Sequence, residues 1–329
     1  MPELPEVETI RRNLEQTVVG ARILSVSDPT HERTLRNQQG GIAGLRAGLE
    51  GARLGAAVRR GKFLWFPLAR DVPSSEGSLA LVIHLGMSGQ LRVESGGTAQ
   101  HSAGSATPAK TVQQRQEEAH SFTHERLRFT LDNGKDLVFC DQRTFGHVEL
   151  RPLRATADGA PGGTGAPEPL LPQGVEHIAR DVLDHIARDV LDPSRDTAEF
   201  VKKNHASARA IKTKLLDQSI VSGIGNIYAD EGLFAARIHP ATPGRSLSER
   251  KLRELLSAVA EVMEQALHFG GTSFDRLYVN SWGNPGEFAK ELQVYGRGGL
   301  SCRRCGTRLD KMIIDGRSSV FCPCCQRKR

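Results

Sequence analysis

The chain has 329 residues, 38% of them hydrophobic, which suits two domains with cores of their own. No run approaches the ~18 apolar residues of a membrane span, and the start carries no apolar export signal, so the expectation is a cytoplasmic protein with no membrane partner. Its net charge of +6 is concentrated at one end: from Arg297 onward nine Lys or Arg residues face Asp310 and Asp315, which leaves −1 for the rest of the chain. A basic tail on a near-neutral body points to a polyanion, nucleic acid first, over the plainer alternative of a solvated tail.

The first ten residues are MPELPEVETI. Clipping Met1 ahead of the small Pro2 would leave a secondary amine at the N-terminus. An α-amino group titrates near ~7.7–8.0, so part of it is unprotonated at neutral pH and can attack a carbonyl-type carbon to give a Schiff base. Glu3 stands beside it as an acid or base. Protection of the terminus from degradation is the alternative use of such a proline. Val7, Ile10, Leu14 and Val18 then recur at helical spacing, with acids in the first turn as the helix dipole favours.

Over residues 21–150 the pattern becomes β-like. ARILSVS, KFLWFPL, LALVIHL, LRFTL and DLVFC are short, rich in β-branched and aromatic residues, and bounded by turn formers. Asn133-Gly134 marks a hairpin turn inside LRFTLDNGKDLVFC. Cys140 falls in an apolar stretch and reads as core. These strands predict a β-sandwich with the first helix packed on it. Two stretches look inserted and flexible, the polar 95–121 and the Gly/Pro/Ala-rich 154–174. The octapeptide HIARDVLD follows twice in tandem, at 177–184 and 185–192, and reads as a local duplication that lengthens the connection, with no function assigned.

The second half reads as helical over FVKKNHASARAIKTKLLDQ, IGNIYADEGLFAARI and SERKLRELLSAVAEVMEQAL. The glycines of SGIGN open the second of these and could expose N–H groups to a phosphate. Five of the six cysteines lie in the last 28 residues, as Cys302-x2-Cys305-x16-Cys322-x2-Cys325 with Cys324 inside the second knuckle. That spacing, in a chain without an export signal, predicts one structural four-thiolate zinc site, with Cys324 a bystander. The predicted organisation is an N-terminal catalytic β-sandwich domain at 2–153, a linker at 154–195, a helical domain at 196–294 and a zinc finger at 295–329.

Taken in order, PELPEVE, RRGKFL, HLGMSG, DQRTFG, GIGNIYADE, GGTSF, QVYGR and the cysteine knuckles resemble the formamidopyrimidine-DNA glycosylase family, bacterial repair enzymes that remove oxidised purines. The resemblance implies an α+β fold: an N-terminal β-sandwich with a packed helix, a C-terminal helix–two-turn–helix domain and a zinc-finger β-hairpin. It further implies a monomer with damaged double-stranded DNA in the cleft. The freed Pro2 amine would attack the sugar carbon bearing the damaged base, Glu3 would help open the sugar ring, Lys62 would assist β-elimination, and Arg317 would serve δ-elimination. Met87, Arg143 and Phe145 would fill the gap left by the extruded base, where wedges from the minor groove are the usual device. His124, Arg143, Arg209, Lys212 and Asn226 would contact DNA, and Glu6 would lie near the damaged nucleotide. An arginine offers only donors, which match the two acceptors of an orphaned cytosine, so Arg143 is expected to prefer cytosine to adenine opposite the lesion.

The chain departs from the family pattern in its insertions, in Gln142 where many relatives have proline, and in a loose match over TSFDRLYVNSWGNPGEF, the loop over the flipped base. Two alternatives stand beside this reading. The sister glycosylase for oxidised pyrimidines, endonuclease VIII, shares Pro2 and Glu3 but usually begins PEGPE. A non-catalytic zinc-ribbon protein that binds nucleic acid would explain the tail and leave Pro2, Glu3 and Lys62 idle.

Overall fold

The structure, a computed structural model, describes residues 2–70, 78–96, 124–173, 186–272 and 286–328. Helix α1 spans Leu4–Thr17. Glu3 and Glu6 form a capping box at its start, satisfying N–H groups that have no partner inside the helix, and proline in the first turn gives up only such an orphan donor. Val7, Ile10, Leu14 and Val18, the predicted stripe, are fully buried.

That stripe lies between two antiparallel sheets. One has the order β1 (Ile23–Val26), β7 (Glu125–Leu131), β8 (Lys135–Asp141), β6 (Gly89–Ser95). The other runs β10 (Leu170–Pro172), β9 (His147–Ala155), β5 (Leu79–His84), β4 (Phe63–Ala69), β2 (Arg53–Leu54), with β3 (Val58–Arg60) also on β4. Leu91, Phe129 and Phe139 from the first sheet meet Leu64, Phe66, Leu81 and Ile83 from the second around α1, and α2 (Gly41–Leu49) closes this core with Leu45 and Leu49. Each of the five strand-like stretches read from the sequence overlaps one of these strands, and the Asn133-Gly134 turn joins β7 to β8. Cys140 is buried in β8 as expected.

Of the stretch 154–174, read as a flexible insertion, the described residues 154–173 are instead built into the second sheet. β10 pairs with β9, and Thr164 bridges to Arg59. Leu171 packs with Phe63, Trp65 and Val82 on the sheet's outer face. FLWF is apolar without alternation because both of its faces are covered. Gly163 is required there, since a Cβ would sit 2.3 Å from the Arg59 carbonyl oxygen. The polar insertion 95–121 falls almost wholly outside the described residues.

The second domain contains α3 (Thr197–His205), α4 (Ile211–Leu215), α5 (Asn226–Ala235) and α6 (Glu249–His268). The single helical run expected over FVKKNHASARAIKTKLLDQ is broken after His205. Its backbone is claimed there by the segment 240–245, through bonds such as Arg245 N to Ser207 O and Ile211 N to Thr242 O. Tertiary pairing overrides local propensity. Leu4 belongs to this second core, with Ile224, Tyr228 and Leu233, so α1 starts in one domain and continues into the other. The terminal hairpin, β11 (Asp310–Ile314) and β12 (Arg317–Phe321), turns at Asp315-Gly316, both at positive φ, as a two-residue hairpin turn requires. Among the described residues no helix is long and apolar enough to cross a membrane.

Candidate active site

The two domains meet at Glu3. Its buried carboxylate accepts hydrogen bonds from the backbone N–H of Gly225 (2.7 Å) and Ile227 (2.9 Å) at the N-terminus of α5, with Tyr228 N at 3.4 Å. Of the two glycines of SGIGN, Gly225 gives its N–H to the protein's own Glu3 carboxylate and Gly223 gives its own to Gln218 Oε1, rather than to a phosphate, which corrects that expectation. Gly225 has to be glycine, because a Cβ would lie 2.2 Å from Glu3 Cδ. Burial pushes the Glu3 carboxyl up to about 7; the Lys62 charge and the α5 amides pull the other way, and neighbouring Glu6 adds to the rise. The group is thus poised between acid and base near neutral pH. Pro2, also buried, directly precedes it.

Glu6 continues this polar seam. It accepts from Glu3 N (2.9 Å), Tyr228 Oη (2.7 Å) and Thr272 N (2.8 Å), and burial raises its pKa as well. It thereby anchors the chain at Thr272, the first residue of the loop expected to cover the flipped base; residues 273–285 of that loop lie outside the described ones. From the first domain, Lys62 follows the turn at Gly61 and donates from Nζ to the Ile224 carbonyl (3.0 Å), two residues before α5 begins. Pro2, Glu3 and Lys62 are therefore brought together from separate parts of the chain.

The zinc-finger hairpin reaches the same junction. Ser318, beside the exposed Arg317, offers its carbonyl to Asn226 Nδ2 (3.0 Å), on the first residue of α5. Lys212 does not behave as expected. It is fully buried, and its Nζ donates to Asp230 (2.7 Å) and to the same Ser318 carbonyl (2.7 Å). Asp230 in turn accepts from Ser319 Oγ and Val320 N. Lys212 is thus an internal strut between α4, α5 and the hairpin, and its ammonium is not offered to a phosphate. Arg209 remains exposed at the hairpin tip, paired with Asp315 (3.0 Å), which also accepts from Thr213.

The residues expected to act as wedges sit on two loops of the first domain. Met87 and Phe145 are large apolar side chains 38% and 44% exposed, and the Arg143 guanidinium lies 5.5 Å from the Phe145 ring centroid. Asp141, 1% exposed, locks the loops together by accepting from Ser88 Oγ (2.6 Å), Arg143 N (3.2 Å) and Gly146 N (2.7 Å). His124 is half-buried at the start of β7, and its carbonyl accepts from the Asp141 amide. Neither Asp141 nor Asp230 was singled out from the sequence. The available signal was an acid in an otherwise apolar setting, since a buried carboxylate has to be paired or hydrogen-bonded.

The sulfurs of Cys302, Cys305, Cys322 and Cys325 all lie within 4.8 Å of one another. Two sulfurs each about 2.3 Å from a tetrahedral zinc stand about 3.8 Å apart, so the cluster has the size and donor set of a structural zinc site with no position open for chemistry. Cys324 is exposed and outside the cluster, as expected.

Profiles of known families cover most of the chain. The formamidopyrimidine-DNA glycosylase N-terminal domain matches residues 1–148, the H2TH domain of the same glycosylases 186–277, and the zinc finger found in FPG and IleRS 299–327. A formamidopyrimidine-DNA glycosylase from Rhodococcus jostii is 45% identical over 99% of this chain and 96% of its own. Among solved structures, the MutM (FPG) protein from Thermus thermophilus superposes with a TM-score of 0.72 at 32% identity, covering both chains in full. A mutant of Lactococcus lactis FPG in complex with Fapy-dG-containing DNA gives 0.73 at 30% identity, over 99% of this chain and all of the other.

Proposed function

Because the chain belongs to the formamidopyrimidine-DNA glycosylase family, we propose that its interdomain site removes oxidised purines from duplex DNA and then cuts the strand, with the Pro2 amine as nucleophile. The protein is a DNA glycosylase and lyase of base excision repair, its partner is damaged double-stranded DNA, and it carries one structural zinc. The lesions are formamidopyrimidines and 8-oxoguanine opposite cytosine; the Fapy-dG in the Lactococcus lactis complex supports that class. With chromosomal DNA as substrate, the protein works in the cytoplasm, at the nucleoid.

After removal of Met1, the Pro2 nitrogen attacks C1′ of the damaged nucleotide. Glu3 in its acid form gives a proton to the ring oxygen, the base departs with the glycosidic electron pair, and an iminium links protein and sugar. Loss of the 3′- and then the 5′-phosphate by β- and δ-elimination releases the strand ends. Lys62 assists the first elimination and Arg317 the second. Met87, Arg143 and Phe145 fill the vacated stack, Arg143 reads the orphaned base, and His124, Arg209 and Asn226 contact the DNA backbone. The observation that carries this reading is Glu3: a buried carboxyl with a pKa of about 7, next in sequence to Pro2 and within the field of Lys62. Borohydride should trap a protein–DNA adduct through residue 2 once Met1 is gone. Strong trapping by a tagged protein that keeps Met1 would remove Pro2 from the role of nucleophile.

A further inference from the structure

The second copy of the repeated octapeptide, described from Ile186 onward, is packed into the domain junction. Ile186 lies among Trp65 and Val82 on the outer sheet face, and Val190 lies in the second core. Between them Asp189 is 0% exposed and accepts from Arg59 Nη1 (2.7 Å) and from the Gly61 amide (3.1 Å), while its second oxygen accepts from Leu191 N (3.1 Å). Arg59, itself 1% exposed, returns a bond from Nη1 to the Gly61 carbonyl (3.2 Å) and reaches Glu8 of α1 (2.9 Å). Both polar groups of Gly61 are therefore held, one by Asp189 directly and one through Arg59.

The Gly61 turn has little room to move otherwise. Its φ of +58° favours glycine, and a Cβ there would stand 2.7 Å from Ser222 Oγ, so the turn is pressed against Ser222-Gly223 of the second domain. Lys62 is the next residue. A buried ion pair is weak evidence of stability, because desolvating both charges offsets their attraction, and it is better explained by the arrangement it enforces.

We propose that Asp189 is a positioning residue for Lys62: by gripping Gly61 and Arg59 it sets where the Lys62 ammonium stands over the junction. This rests on the reading of Lys62 given above. The second copy of the octapeptide is then a clasp between the domains rather than a spacer.

The test is single-turnover cleavage of a duplex with a pre-formed abasic site by the full-length zinc-loaded protein. Aspartate is lengthened to D181E/D189E, which keeps a negative charge opposite Arg59 and shifts the Gly61 turn by about one methylene. Both positions are changed because residues 177–184 repeat the same eight residues and would otherwise retain the original side chain. Cleavage should slow by about tenfold to a hundredfold, the scale of a misplaced catalytic group, and the same change should cost nothing further in a K62A background. An unchanged rate, or an equal loss in the K62A background, overturns the proposal. Should D181E/D189E fail to fold, R59K, which keeps the positive charge between Glu8 and Asp189 but loses the fork to Gly61, is judged by the same two criteria. If K62A alone cleaves at the wild-type rate, the reading of Lys62 falls first and the clasp with it.

Discussion

Glu3 is held by the α5 amides in a place where burial favours its neutral form, so one side chain both caps a helix and stores a proton near neutral pH. The sign of the consequence is fixed. Its folded pKa of about 7 exceeds the ordinary 4.5, so the contribution to stability is present below 4.5 and is lost as pH rises through 7. Glu3→Gln stays neutral throughout. Wild type should lose about 3 kcal/mol relative to that variant between pH 4.5 and 8, measured by denaturant unfolding; parallel curves would show that Glu3 is not raised. The same variant should fail to release the base yet still cut at an abasic site, whose sugar needs no ring-opening acid. Arg143 makes a second prediction at this scale. A bidentate contact to cytosine is worth ~1–3 kcal/mol of discrimination, about tenfold to a hundredfold in rate. Arg143→Ala should compress the cytosine-to-adenine preference opposite 8-oxoguanine; a mutant that is slower but equally selective would show that Arg143 only positions DNA.

Helix α5 is the element that organises the site. Its N-terminus binds Glu3, Asn226 and Asp230 hold the zinc-finger hairpin, and Glu231 accepts from the amides of Gln293, Val294 and Tyr295. The hairpin's own small core, with Leu309 and Val320 beside Cys302 and Cys322, is too slight to stand without a staple. Cys302→Ser should lose zinc, and with it the placement of Arg317, so that strand cleavage and DNA affinity both fall. Cys324→Ser should retain one zinc per chain by elemental analysis. A full zinc complement in Cys302→Ser, or its loss in Cys324→Ser, would mean that the ligand set is different.

Across the whole molecule, basic charge is gathered in one segment, which suits a DNA partner. The strongly basic segment from Arg297 onward docks on α5 at the junction, beside a body that is nearly neutral. Binding should weaken steeply with salt, by roughly 0.9 in log affinity per unit of log salt for each phosphate neutralised. Lys212 separates two kinds of cation within that total. Because its ammonium is enclosed between Asp230 and Ser318, Lys212→Met should leave the salt slope unchanged while costing about 3–5 kcal/mol of stability, since Asp230 is left buried without a counter-charge. Arg317→Ala should flatten the slope and leave stability nearly untouched. A slope flattened by Lys212→Met would return that lysine to the phosphates.

Much of this protein was legible from local pattern. The apolar stripe of α1, the Asn133-Gly134 hairpin, the Asp315-Gly316 tip and the four-cysteine spacing each follow from chemistry within a few tens of residues, and all of them hold in three dimensions. The motif set likewise identified the family. What the linear chain did not reveal is which partner each polar group finds. Lys212 and Asp230 lie 18 residues apart and Arg59 and Asp189 lie 130 apart, and nothing local distinguishes a cation bound for phosphate from one bound for a buried carboxylate. The same holds for Gly225 before α5, whose N–H suits any anion until Glu3 arrives from the other end of the chain. The stretch 154–174 looked loose because its composition is poor in strand formers, yet it is ordered by a sheet edge and an apolar face that only folding creates. Local sequence determines which groups exist and how the nearby backbone bends. Burial and pairing across the domain junction decide their charge, their exposure and hence their task, because desolvation and hydrogen bonding depend on neighbours that only the tertiary structure supplies.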